Sequence, residues 1–163
     1  MRLLMALAFA LLSFSTPGAI SHVLARDSQS AANSDSAAVQ KTVEQFLEAF
    51  ANLDWERFRS FFAVEATVFF PPSAQSSHRA NGRLEIETVF RSVFDHARKQ
   101  KSSAPYLNIQ PKEMKIQMLG DVAIVTFQLD DPDSFGRRTI VFQRQVKEWF
   151  IAHLHASAIM AKP

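Results

Sequence analysis

Residues 42–72, TVEQFLEAFANLDWERFRSFFAVEATVFFPP, carry the reading that decides the fold. Val39, Val43, Phe46, Leu47 and Phe50 recur at i, i+4, i+7, i+8 and i+11, which puts them on one face of a helix. Asn52-Leu53-Asp54 interrupts that face, and Asp54 is suited to cap a short second helix with Trp55, Phe58 and Phe62 on its inner side. Glu65 to Phe70 then reads as a strand, ended by Pro71-Pro72. Two helices thus feed a strand, and the aromatics of their core face are nearly all Phe. The chain has fifteen Phe against a single Tyr, Tyr106. A cavity built from these elements lacks the phenol that acid/base chemistry on a lipophilic substrate often uses.

On the N-terminal side, Asp35 or Ser36 is placed to cap the first helix. Residues 26–36, RDSQSAANSDS, are small and polar and read as a flexible tail. Before them, Arg2 and an apolar block from Leu3 to Leu12 precede Pro17-Gly18 and a small-residue site, Val23-Leu24-Ala25, so residues 1–25 read as a signal peptide. The block ends well short of the roughly 20 apolar residues that a membrane span needs. Cleavage after Ala25, or alternatively after Ala19, directs the domain at 37–160 to the periplasm or outside the cell.

On the C-terminal side, 73–83 is a Ser-, Ala- and Gly-containing loop long enough to act as a lid. Ile86, Val89, Phe90, Val93, Phe94 and Ala97 mark a third helix. From Met114 the period changes to two. Strands follow at Met114–Met118, Val122–Gln128, Arg138–Val146 and Trp149–Ile159, with turns at Gly120-Asp121, 130–136 and Lys147-Glu148. The order is α+β, with three N-terminal helices packed on a curved, mostly antiparallel sheet.

There is no Cys, which excludes disulfides, a thiolate nucleophile and Cys-based zinc sites. Loss of residues 1–25 removes only Arg2, leaving 17 Lys and Arg against 16 Asp and Glu, too even a balance to suggest nucleic acid or an anionic membrane as partner.

Several patterns together resemble the nuclear transport factor 2-like superfamily, and within it the SnoaL-like branch. They are Phe46 to Pro71 with its Asp54-Trp55, the strand Glu65-Ala66-Thr67-Val68, Gly82-Arg83-Leu84-Glu85-Ile86 opening the third helix, and Trp149-Phe150-Ile151-Ala152-His153-Leu154-His155-Ala156-Ser157. The resemblance spans roughly 37–160 and implies the cone-shaped fold of that superfamily. It implies little about activity, because the fold hosts isomerases, dehydratases, cyclases, ligand binders and association modules. Where the steroid isomerases of the superfamily place two Tyr and an Asp, this chain has Phe46, Phe62 and Phe70, and a later acid falls near Thr139. Without base or oxyanion donor, their proton-transfer chemistry is excluded at this location.

His153 and His155, at i and i+2 on the last strand, share a side by strict alternation with Trp149, Ile151 and Ser157. The resemblance puts Ala152, Leu154 and Ala156 on the cavity side. The expected homodimer interface is therefore Trp149, Ile151, His153, His155 and Ser157. No third ligand supports a metal at His153 and His155, and His78-Arg79 in the loop reads as solvated surface. The expected ligand wall is Phe46, Phe50, Phe62, Phe70, Phe90 and Phe94, with Thr126, Gln128 and Ala156 from the sheet. The function expected is binding of a small apolar molecule, without cofactor or metal, by an exported homodimer with no membrane span after cleavage. Two alternatives stand beside it. One is a SnoaL-like isomerase, cyclase or dehydratase on a polyketide- or steroid-like substrate, working through His153, His155 or Asp130. The other is a self-association or accessory module with a vestigial pocket.

Overall fold

The computed structural model describes residues 18–71, 78–131 and 134–160. Helices α1 (Gly18–Ala51), α2 (Trp55–Ser60) and α3 (Gly82–Gln100) and strands β1 (Phe62–Phe69), β2 (Ala80–Asn81), β3 (Lys112–Leu119), β4 (Val122–Asp131), β5 (Ser134–Gln145) and β6 (Glu148–Met160) follow in the order α1, α2, β1, β2, α3, β3 to β6. The six strands form one sheet in the order β2-β1-β6-β5-β4-β3. Only β1 and β6 run parallel.

The predicted face of α1 is the face that packs, with Val39, Val43, Phe46 and Leu47 all buried. Asp54 caps α2 by accepting a 3.3 Å hydrogen bond from the Arg57 amide. Both helices close on Phe58, 1 % exposed, whose ring lies 4.7–5.4 Å from those of Phe46, Phe50, Phe62, Phe90 and Phe94. The amide of Ile151 donates to the carbonyl of Phe61 at 2.8 Å, tying the end of α2 to β6.

Several boundaries differ from the sequence reading. Residues 26–36 belong to α1, which begins at Gly18, so they are helix and not a tail. No Pro or Gly interrupts the chain from Ala19 to Ala51, so local helical bonding continues N-terminal to Val39, the first buried residue among the side chains described. Asp35 is therefore inside the helix and is not its cap. Its carboxylate takes a bidentate pair from Arg144 on β5 (2.7 and 2.8 Å), whose Nε also donates to Asp121 at 2.9 Å while the guanidinium lies over the Trp149 ring. Residues 1–17, most of the expected signal peptide, and 73–77 of the expected lid lie outside the described residues. The rest of that loop supplies β2, paired with Thr67 and Val68, and the first turn of α3. Strand β1 starts at Phe62 rather than Glu65, and β5 at Ser134 rather than Arg138. The β5–β6 connection is Val146-Lys147, one residue earlier than expected.

The largest correction concerns β6. Val141 pairs with His153 and Phe142 with Ile151, so β6 carries one extra residue, Ala152, against β5. This β-bulge resets the alternation. Before it, Trp149 (5 % exposed) and Ile151 (0 %) point into the core, and Phe150 lies on the other face; after it, Leu154 and Ala156 point inward. Trp149 and Ile151 are thus core residues and share no outer face with His153, His155 and Ser157. Replacing Ile151 with Glu should destabilise the fold by on the order of 4 kcal/mol, the scale of an uncompensated buried charge. Denaturant unfolding reads this directly, and a variant as stable as the wild type would mean that Ile151 faces outward.

Candidate functional site

Between the helices and the sheet lies a cavity of about 210 Å³. From α1 it takes Phe46, Leu47 and Phe50, from the segment just after β1 Phe70 and Pro71, and from α3 Phe90 and Val93. The sheet contributes Phe127 and Leu129 of β4, Arg138 and Ile140 of β5, and Leu154 and Ala156 of β6. Ile109 closes the remaining side, on a segment anchored where the amides of Tyr106 and Leu107 both donate to the carbonyl of Ala51 (2.8 and 3.1 Å).

Of the expected ligand wall, Phe46, Phe50, Phe70, Phe90 and Ala156 line this cavity. Phe62 and Phe94 do not. Each is 1 % exposed, with Phe62 packed behind Phe46 and Phe90 and Phe94 against Phe58 and Trp55. Thr126 and Gln128 are on the wrong face. Ala123, Val125 and Phe127 are the buried set of β4, and the two-residue period turns the polar alternates outward, where Gln128 donates to Glu113 at 2.7 Å. The row that reaches the cavity is Phe127, Arg138 and Ala156, directly paired across β4, β5 and β6.

The sequence reading missed Arg138, the charged group among the described lining residues. Its Nη1 donates to the carbonyls of Arg137 (2.9 Å) and Ser157 (3.0 Å). The β5 register against Phe127 was the signal that would have found it. A guanidinium stays protonated and orients or binds an anion; it is not a proton shuttle near neutral pH.

His153 and His155 are on the outer face of the sheet, across from the cavity. Thr67 Oγ1 and His153 Nδ1 share a 2.7 Å hydrogen bond, and the Phe69 ring lies 5.9 and 5.7 Å from the two imidazoles. Asp130 lies in β4 opposite Phe135, and its side chain lies outside the described residues. Arg79 of the loop donates to Asn81 Oδ1 at 2.7 Å. Among the described residues, no group of three His, Asp or Glu is placed to hold a metal ion, and no helix is long and apolar enough to cross a membrane.

Partial burial, then the positive charges of His155 and Arg79, hold the His153 pKa below its ordinary value of 6.5. In the folded state the ring thus binds its proton more weakly than in the unfolded chain. Its contribution to stability is complete above about pH 6.5 and is lost as the pH falls from there toward the depressed folded value. The melting temperature should drop between pH 7.5 and pH 5, and His153→Gln should flatten that part of the curve. Parallel curves for variant and wild type would remove His153 as the cause.

The SnoaL-like domain family matches residues 39–162. No curated protein matches the chain. Among solved structures, a dehydratase candidate of the nuclear transport factor 2-like family from Streptomyces avermitilis aligns with a TM-score of 0.66 at 18% identity, over 79% of this chain and 99% of its own. A nuclear transport factor 2-like protein of unknown function from Pseudomonas putida gives 0.62 at 15% identity, over 80% and 98%. A ketosteroid isomerase candidate from Parabacteroides distasonis gives 0.55 at 17%, over 77% and 86%. At these identities the likeness is one of fold. The family match covers most of the chain, and the chain therefore belongs to the SnoaL-like domain family and has the nuclear transport factor 2-like fold.

Proposed function

We propose that the protein binds a small, largely apolar molecule in the cavity between α1, α3 and the sheet. The observation that carries this reading is a void of about 210 Å³ walled by five Phe rings and by aliphatic side chains from α1, α3 and the sheet. Protein interiors hold few gaps larger than a water molecule, and a dry cavity of about 150 Å³ is enough to take up benzene. One or two rings, or a chain of similar bulk, suit this space. Phe46 and Phe70 stand in the wall, with Phe62 behind them, at places where steroid isomerases carry phenols and a carboxylate. This favours binding over proton transfer as the work of the cavity.

A thermal-shift screen of one- and two-ring aromatic compounds tests the reading. A ligand bound only by the folded state adds about 2.7 kcal/mol of stability at a hundredfold excess over its dissociation constant, so a hit should be plain. Ala156→Trp should fill the void and abolish the shift, with a cost of roughly 1–3 kcal/mol if the wall must yield. If no compound raises the melting temperature and the Trp variant barely folds, the interior is a closed core, and the association-module reading replaces this one.

Export and dimerisation belong to the same proposal. Support for export is the Arg2 charge, the apolar block and the Val23-Leu24-Ala25 site. For the dimer it is the outer sheet face, now without Trp149 and Ile151 but with Phe69, 43% exposed, beside His153 and His155. Exported material should begin near Arg26 by N-terminal sequencing and scatter light as a dimer. A retained Met1 or a monomeric mass would remove the corresponding part.

A further inference from the structure

We infer that a second site on this chain receives an extended acidic peptide segment of a partner protein. It is a groove of about 480 Å³ where α1, α2 and the β5–β6 hairpin meet, and it shares no described lining residue with the cavity. Each of the three elements brings one cation to it: Lys41 from α1, Arg57 from α2 and Lys147 from the hairpin turn. Phe61 and Phe150, both partly buried, add apolar wall.

The charges are open to a partner. Lys41 and Lys147 are exposed, and neither has a carboxylate within ion-pair range among the described residues. Arg57 is the paired member, its Nη1 2.9 Å from Glu48. Glu148 is the acidic residue among the described lining. Even with Glu48 set beside it, cations outnumber carboxylates, so an anionic occupant is complementary.

The form of the site selects the kind of anion. Cations on three separate elements match an occupant with carboxylates at several points along its length. The Gln45 side-chain amide also lines the groove and has no hydrogen-bond partner among the described residues, so it offers a donor and an acceptor to a peptide backbone. Beyond the groove, the hairpin tip continues the surface. Val146, next to Lys147, is 97% exposed and holds a φ of 59°. A β-branched residue seldom adopts this left-handed conformation, and strain of this kind collects where a surface has work to do. A chain leaving the groove along the hairpin covers the valine, whereas a small anion inside the groove does not. The carboxylates in and beside the wall, and the nearly even charge of the whole chain, disfavour nucleic acid.

The test is fluorescence anisotropy of the full chain with a fluorescein-labelled peptide of alternating Glu and Leu, and with its counterpart of alternating Gln and Leu. The wild type should bind the acidic peptide about tenfold more tightly than the neutral one, a preference that shrinks at high salt. Lys41→Glu and Lys147→Glu should each weaken the acidic peptide about tenfold and spare the neutral one. Lys99→Glu makes the same change of charge on α3, outside the groove lining, and should leave binding unaltered; an equal loss there means attraction by overall charge and overturns the inference. Val146→Asn keeps the turn, since Asn accepts left-handed backbone, and should weaken both peptides about threefold. Unchanged binding by that variant means an occupant that ends inside the groove and overturns the peptide reading. A wild type that binds the two peptides equally, or binds neither, overturns it as well, and none of these results bears on the cavity.

Discussion

Everything in this fold is arranged around one ring. Phe58, on a helix of six residues, touches aromatic rings from α1, β1 and α3 at once. A helix so short has almost no stability of its own. It is held by the Asp54 cap at one end, by the Phe61 carbonyl bonded to Ile151 at the other, and by Phe58 between them. Stripping a buried Phe to Ala typically costs about 3–5 kcal/mol, against about 5–15 kcal/mol for a whole domain. The cluster therefore fixes where α1 and α3 sit relative to the sheet. The cavity is the space left at the edge of that cluster, where Phe46, Phe50 and Phe90 belong to both.

Helix faces were legible because their period is long and redundant. Five apolar residues on α1 and six on α3 agree on one direction each, and a single misreading would not move the face. The start of α1 was not legible, because residues 26–36 are small and mostly polar, without a helix breaker and without an apolar period to register. Asp35 shows what was hidden. Its composition suggested a cap, while its bidentate partner Arg144 is more than a hundred residues away and on the sheet.

Strands were harder, since a period of two leaves only a choice of parity. On β4 the choice was open to inspection: Ala123, Val125 and Phe127 contain no polar group, while Ile124, Thr126 and Gln128 contain two. Reading the polar set as the lining of a pocket inverted the strand and sent attention away from Phe127. Arg138, its partner on β5, was lost with it. An arginine on an inward face contradicts the usual burial rule, and sequence alone gives no reason to place it there. The neighbouring glycine at 136 and the carbonyls of Arg137 and Ser157 make the placement tolerable, and these become visible only once the strands are in register.

The bulge at Ala152 carries the deepest consequence for function. With Trp149 and Ile151 directed inward, an unbroken strand would continue by twos to His153 and His155 and deliver two imidazoles to the cavity. The extra residue shifts the phase by one, so Leu154 and Ala156 arrive instead, and the imidazoles turn to the outer face beside Thr67 and Phe69. A one-residue change of phase thus separates the titratable groups of β6 from the interior. The cavity keeps a wall that is apolar apart from the Arg138 side chain among the described lining residues. The two imidazoles stand on the opposite surface of the sheet, away from the cavity.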